Sequence, residues 1–220
     1  MSQDQQAAPT APNGRAKRLP REQRRRQLLD CALQVFVAKG YYGASMDEIA
    51  DVASVSKPVL YQHFPGKREL FLDLLGTHLD QLQAMLTEAL ERTDDNKERV
   101  TGTVSAFYEF IARKDEAYRL LFTSGMDNDE EVELRLSRFF DAVAHAIAEV
   151  IAEDTGQPMV AARMLGHGLI GMAVTSARHW ISLSERPDME VSSEITARLA
   201  WRGISGFPLD AEAPPAGSSA

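Results

Sequence analysis

Five side chains able to donate hydrogen bonds crowd one short stretch: Lys57, Tyr61, Gln62, His63 and Lys67. Lys57 and Gln62 have the donors and reach to meet base edges, whereas Tyr61, His63 and Lys67 can donate to phosphate oxygens. Such chemistry requires an element that protrudes and fits a groove. The segment Tyr41–Leu70 supplies one. Ser45 followed by Glu48 is a capping box, so a helix starts at Met46. Met46, Ile49, Ala50 and Ala53 share one face at helical spacing. Ser54 and Val55 leave room only for a tight turn. Ser56 has the chemistry of a second cap, and Pro58 falls in the first turn, where a missing N–H matters least. The helix Lys57–His63 is too short to stand alone, so Leu60 and Val59 must pin it to its predecessor.

Two short helices joined in this way form a helix-turn-helix, whose second helix fits the DNA major groove. On periodicity alone, the segment reads equally as a helical corner in an all-α protein. The distribution of charge is compatible with DNA binding. The net charge is −8, yet residues 1–70 carry 11 Lys+Arg against 7 Asp+Glu, a balance of +4, and residues 71–220 carry 13 against 25, a balance of −12. A basic end can approach phosphates while an acidic body does not. Arg15, Lys17 and Arg18 precede the first helix and Arg24, Arg25 and Arg26 open it. These could simply be a solvated helix start. Cations there oppose the helix dipole, however, and basic arms beside such domains reach the minor groove or backbone, which favours DNA contact.

The elements that must position these residues are all helical; no strand pattern is present. A first helix covers about residues 21–39, with Leu28, Leu29, Ala32, Leu33 and Phe36 inside and Gly40 at its end. A fourth runs from about Lys67 to Arg92 and joins the basic end to the acidic body. Asp94 or Asp95 caps a helix over 96–113, and Asp115 caps a short one carrying Tyr118, Leu121 and Phe122. A long helix follows to about Ala152. Residues 158–183 form a helix that is apolar nearly all round, with Gly166, Gly168, Gly171 and Ala173 interleaved, and a last helix spans about 188–201. The fold class is therefore all-α with about nine helices. Residues 1–14 and 206–220 are expected to be disordered tails. Residues 15–66 form the helix-turn-helix domain, with the motif at 45–63, and residues 67–205 form a C-terminal domain.

Little else could carry chemistry. The five histidines lack metal-ligand spacing, and one cysteine makes no zinc site. Nucleophile-elbow, phosphate-loop and dinucleotide motifs are missing, so neither an enzyme nor a cofactor is expected. His145 and His167, on otherwise apolar helices, read as core histidines before pocket handles. Cys31 reads as a small buried hydrophobe. With no apolar run of membrane-spanning length, no membrane partner is expected, and the residence expected is cytoplasmic.

SMDEIADVASVSKP followed by LYQHFPGKREL resembles the DNA-binding signature of TetR-family transcription regulators. The match covers roughly Arg21–Leu75, with Ala50, Val55, Leu60, Tyr61, Phe64, Lys67 and Leu70 all in step. It implies that Ser45, Tyr61, His63 and Lys67 touch phosphates and that Lys57, Pro58 and Gln62 face bases, with Ser56 at the start of the recognition helix. The family usually has glycine where this chain has Ser54, a position that favours positive φ. The resemblance further implies a homodimer on a palindromic double-stranded operator, its interface made by the helices over 158–183 and 188–201.

A small-molecule site between the C-terminal helices is also implied. Phe107, Phe110, Phe122, Phe139 and Met172 are its candidate lining, suited to an apolar effector. RLPREQRRRQLLDCALQVFVAKGYYGASMDEIADVASVSKPVLYQHF, TDDNKERV, YRLLF and ARMLGHGLIGMAVTSARHWI are similar to actinobacterial TetR-type regulators of fatty-acid biosynthesis. Those sense long-chain acyl-CoA, which makes acyl-CoA the candidate effector. The other open function class is a constitutive or architectural DNA-binding protein without an effector.

Overall fold

The computed structural model describes residues 19–113, 126 and 129–204, and among them it holds eight α-helices and no strand. They are α1 (Arg21–Gly43), α2 (Met46–Val52), α3 (Lys57–His63), α4 (Lys67–Glu91), α5 (Asn96–Arg113), α6 (Glu130–Thr155), α7 (Met159–Ser182) and α8 (Met189–Ile204). The short helix expected over 115–125 lies outside the described residues.

Local chemistry accounts for most boundaries. Gly40 takes φ 69°, ψ 172°, so helical geometry in α1 breaks there as its position suggested, and a last turn runs on to Gly43. The capping box forms in full: the Ser45 hydroxyl accepts from the Glu48 N–H, and the Glu48 carboxylate accepts from the Ser45 N–H. Asp95, of the two candidates, caps α5 by accepting from the Glu98 N–H at 2.8 Å. The long helix α6 runs on to Thr155 and stops at left-handed Gly156, whose N–H donates to the Ala152 carbonyl. Ser56 sits at the N-cap of α3 in extended geometry but makes no side-chain capping bond, so the expected cap is not formed.

Helix α4 organises the packing. Across the α1–α3 unit it presents Leu70, Phe71, Leu74 and Leu75, all essentially inaccessible, to Leu28, Phe36, Leu60 and Phe64. Phe36, Tyr41 and Phe71 stack edge and face with centroids 5.2–6.0 Å apart. Further along, Leu79, Leu82 and Leu86 belong to the same continuous core as Val104, Phe107 and Ile111 of α5 and Phe139 and Val143 of α6. The two halves of the chain therefore share one hydrophobic core.

Helices α6 and α7 approach closely. A Cβ on Gly166 would lie 2.6 Å from the Ala144 carbonyl oxygen, so only glycine fits that crossing. Gly168 and Gly171, by contrast, face open space. The small residues of α7 thus serve two faces, one inside the protomer and one outside. On the outer side Val160 and Met164 of α7 are 74% and 73% exposed, and Val191, Ile195 and Leu199 make an exposed stripe along α8. Both histidines read as core residues from sequence turn outward: His145 lies 3.4 Å from Glu149, and His167 lies 3.6 Å from Asp141. The buried histidine is His78 of α4. Cys31 is half-buried against the core, and burial, with Asp30 beside it, pushes its thiol pKa up.

Candidate functional site

Helices α2 and α3 meet through a turn in which three successive backbone donors are used. The Ala53 N–H reaches Ile49 O, the Ser54 N–H reaches Asp51 O, and the Val55 N–H reaches Ala50 O. Ser54 has φ 52°, the left-handed conformation in which a β-carbon is disfavoured. The positive φ anticipated at this position is present although the residue is not glycine. From α1, Gln27 Nε2 donates to Ala53 O at 3.3 Å and braces the turn.

Leu60 is fully buried and pins α3 onto this frame. The opposite face of α3 is open: Ser56, Lys57, Pro58, Tyr61 and Gln62 are exposed, and His63 is half-exposed. Tyr61 keeps 49% of its surface accessible. Six of the sequence-selected DNA residues therefore share one solvent-facing surface. Lys57 Nζ lies 2.7 Å from Asp47 Oδ2, which raises the lysine pKa. Burial, then Arg21, Arg25 and Arg24, holds the His63 imidazole below the ordinary histidine range.

Two selected residues do something else. Lys67 Nζ donates to Tyr41 O and to Ala44 O, both at 2.9 Å, and sits 4.6 Å above the Tyr41 ring. These bonds tie the start of α4 to the end of α1 and use two of the three ammonium donors, so Lys67 has a structural role whether or not the third reaches a phosphate. The Ser45 hydroxyl is likewise engaged in the capping box. Arg15, Lys17 and Arg18 lie outside the described residues.

Sequence reasoning missed Arg25. Its guanidinium pairs with Asp73, donates to His63 O at 3.2 Å and lies 4.5 Å over the Phe64 ring. It fixes the end of α3 against α4. The run Arg24–Arg26 signalled charge, but nothing in it distinguished an inward arginine from outward ones.

A second site lies at the other end of α4. A cavity of about 240 Å³ opens among α4, α5, α6, α7 and α8. Its wall is graded. Asn96, Arg99, Asp154 and Thr155 form one end; Phe107, Phe139 and Phe140 lie toward the other. Along α5, Asn96 to Phe107 spans about 16 Å at 1.5 Å per residue. Between these ends Thr103 brings a hydroxyl that is buried without a hydrogen-bond partner among the described residues. At the polar end Arg99 donates to Thr93 O at 2.7 Å and pairs with Asp94 and Asp154. Phe107, Phe139 and Met172 line this cavity as selected from sequence. Phe110 does not: it is 2% exposed within the solid core. Phe122 lies outside the described residues. Leu86 and Leu90 of α4 were not anticipated, because their period marks a buried face without marking which part faces a void.

Two family profiles match the chain: "Bacterial regulatory proteins, tetR family" over residues 28–74, and "Tetracyclin repressor-like, C-terminal domain" over residues 85–207. The chain belongs to the TetR family. It is 42% identical over 201 residues to the HTH-type transcriptional activator FasR of Mycolicibacterium smegmatis, covering 91% of this chain and 92% of that one. A TetR-like transcriptional regulator from Rhodococcus sp. RHA1 superposes with a TM-score of 0.70 at 26% identity, covering 86% of this chain and all of the other. FadR of Bacillus subtilis, solved in complex with stearoyl-CoA, shares the fold with a TM-score of 0.71 at 16% identity over 80% of this chain and 96% of its own.

As a TetR-family transcriptional regulator the protein needs its DNA-reading helix and its C-terminal body joined mechanically. Arg68, next to Lys67, donates from Nε and Nη2 to the two carboxylate oxygens of Asp129, each at 2.9 Å. Arg68 and then the α6 N-terminal N–H groups hold the Asp129 carboxyl below the usual range. Asp129 also caps α6, accepting from Glu131 N and Val132 N. Arg135 of α6 donates to Leu72 O at 2.9 Å. Helix α6, which walls the cavity, is thus bonded directly to the first turns of α4.

Proposed function

We propose that this TetR-family regulator binds a two-fold symmetric operator as a homodimer, under control of a long acyl chain, carried as its CoA thioester, in the α4–α8 cavity. Lys57, Pro58 and Gln62 face bases; Tyr61 and His63 meet phosphates; Arg15, Lys17 and Arg18 add backbone contacts from the arm. The exposed apolar side chains Val160, Met164, Val191, Ile195 and Leu199 on α7 and α8 support the dimer, since grouped exposed apolar residues mark protein-interaction surfaces. One seven-residue reading helix also needs a symmetry mate to specify a useful site.

The observation that carries the effector reading is the graded cavity pressed against Leu86 and Leu90. Its apolar length suits a hydrocarbon chain, and the Thr103 hydroxyl offers a hydrogen bond to a carbonyl lying among apolar walls. FadR with stearoyl-CoA shares the fold, and the acyl-sensor resemblance of the sequence points the same way. An occupant that separates α5 from α6 displaces α4 and, through Arg68–Asp129, the distance between the two reading helices of the dimer. DNA fixes that distance by its helical repeat, so a shift of a few ångströms spoils one contact set.

Titration calorimetry tests the coupling. Long-chain acyl-CoA is titrated into free protein and into operator-bound protein. Linkage requires operator DNA to change acyl-CoA affinity by the same factor by which acyl-CoA changes operator affinity. Equal acyl-CoA affinity in both states ends the coupling, and DNA binding without acyl-CoA binding leaves the constitutive reading in its place.

A further inference from the structure

We propose that Asp47 is a specificity-determining residue of the DNA-reading surface: by holding the Lys57 ammonium it directs that lysine to base edges and keeps it off phosphates. This rests on the reading above that α3 enters the groove.

The argument starts from the position of the pair. Lys57 Nζ and Asp47 Oδ2 are 2.7 Å apart, with side chains 60% and 58% exposed. A pair so exposed contributes little to folding stability. Asp47 lies in the first turn of α2, where a carboxylate suits the helix dipole, but that role does not require it to hold Lys57. Ser45 and Glu48 already form the capping box. Asp51, one turn further along α2, adds its negative field at Lys57. A carboxylate bonded to the first residue of the reading helix stands where phosphates must approach. On a surface meant only for tight binding it would be misplaced.

Discrimination gives it a use. A free lysine on a DNA surface neutralises a phosphate on any sequence and releases a counterion, which strengthens non-specific binding as much as specific binding. A lysine paired with an aspartate is neutral as a unit and releases none. It still carries two N–H donors beyond the one given to Asp47, enough for the O6 and N7 acceptors that guanine shows in the major groove. The carboxylate repels phosphates of every duplex alike, while the base hydrogen bonds form only on the right one. The ratio of operator to non-operator affinity rises although absolute affinity falls.

The full-length protein is first used to select an operator from random duplexes. Fluorescence anisotropy then follows binding to that operator and to a scrambled duplex of the same composition across a salt series. Asp47→Asn is expected to bind the scrambled duplex several-fold tighter, with a salt slope steeper by about one, and to lower the operator-to-scrambled ratio. Asp47→Glu, which keeps the charge, should hold the ratio nearer the wild-type value. In a Lys57→Ala background, Asp47→Asn should leave the ratio unchanged and raise binding to both duplexes alike, because the lysine it would release is gone and only the carboxylate's uniform repulsion is lost. An unchanged ratio in Asp47→Asn, or the same fall of the ratio in the Lys57→Ala background, overturns the role of Asp47 and leaves the DNA-binding reading standing. Selection of no duplex by the wild-type chain overturns both. The thermal melt of Asp47→Asn, expected to overlay wild type, shows that the capping box holds α2 without Asp47.

Discussion

The two ends of α4 are held by different kinds of force. At its start, directional bonds converge: Lys67 on two carbonyls, Arg68 on Asp129, Asp73 on Arg25, and Leu72 O on Arg135. Beneath them Leu70 and Leu75 are fully buried in a filled core. Toward its other end, about 37 Å away at full length, Leu86 and Leu90 rest against a cavity. The start has one geometry because hydrogen bonds and close packing each penalise displacement. The far end borders a void. Under the switch proposed above, a helix fixed at one end and adaptable at the other would act as a lever, with its fulcrum on the DNA side.

Substituting the same residue at both ends tests that contrast most strongly. Leu70→Ala opens a void in a filled core and is expected to lower stability by about 2–5 kcal/mol in urea unfolding. Leu90→Ala, half-exposed and already beside empty space, should cost about 1 kcal/mol or less, and should change acyl-CoA affinity instead. Similar losses at the two positions would remove the distinction.

The lever needs a partner to lever against. Ile195→Asp places a charge on the exposed α8 stripe and is expected to give monomers in analytical ultracentrifugation, with operator affinity lost and the fold kept. A dimer that survives would shift the interface elsewhere. Ala173, which the sequence offered as an interface position, lines the cavity and would test a different thing.

A weaker test compares His63 in free and bound states. Burial and the neighbouring arginines depress its pKa, so the free protein carries it neutral near pH 7. A phosphate beside it favours the imidazolium and raises that pKa. The complex then binds more protons than the free protein, and operator affinity rises as pH falls from about 8 to about 6. Folding stability moves oppositely: the unfolded chain takes the proton first, so the free protein loses stability as pH falls through the ordinary histidine range. His63→Gln should flatten both trends in anisotropy and melting measurements.

The smallest effect concerns the turn. Ser54→Gly relieves a β-carbon at φ 52° but gives back backbone entropy, so a net gain below about 1 kcal/mol is expected in thermal melts. A loss instead would mean that Ser54 makes the turn in a way glycine cannot.

The DNA end was largely legible in the sequence and the cavity only partly, for a physical reason. A capping box, a proline at the second helical position and a short apolar period are local signals that act within one or two turns, and all three mark α2 and α3. Which member of an apolar stripe faces a void is decided by the opposing helix. Phe107 and Phe110 look alike on α5, yet the first meets the cavity and the second meets packed core. Lys67 shows the same limit for charge: its type and spacing suited a phosphate, but nothing local in the sequence announced its bonds to the Tyr41 and Ala44 carbonyls at the end of α1.

The shared core has a consequence for how the molecule comes apart. Leu28, Phe36, Leu60 and Phe64 share their core with Leu70, Phe71, Leu74 and Leu75 of the first turns of α4, and those turns are continuous with a helix buried in the C-terminal body. A fragment ending at residue 66 would lack Leu70, Leu74 and Leu75, which share a core with Leu60 and Phe64, so we expect it to fold poorly unless α4 is kept. Amide hydrogen exchange should find α1 and the middle of α4 opening together with α5, in one cooperative unit. A DNA-reading module transplanted from this protein would have to carry α4 with it, and with α4 would come the surface that asks for α5 and α6.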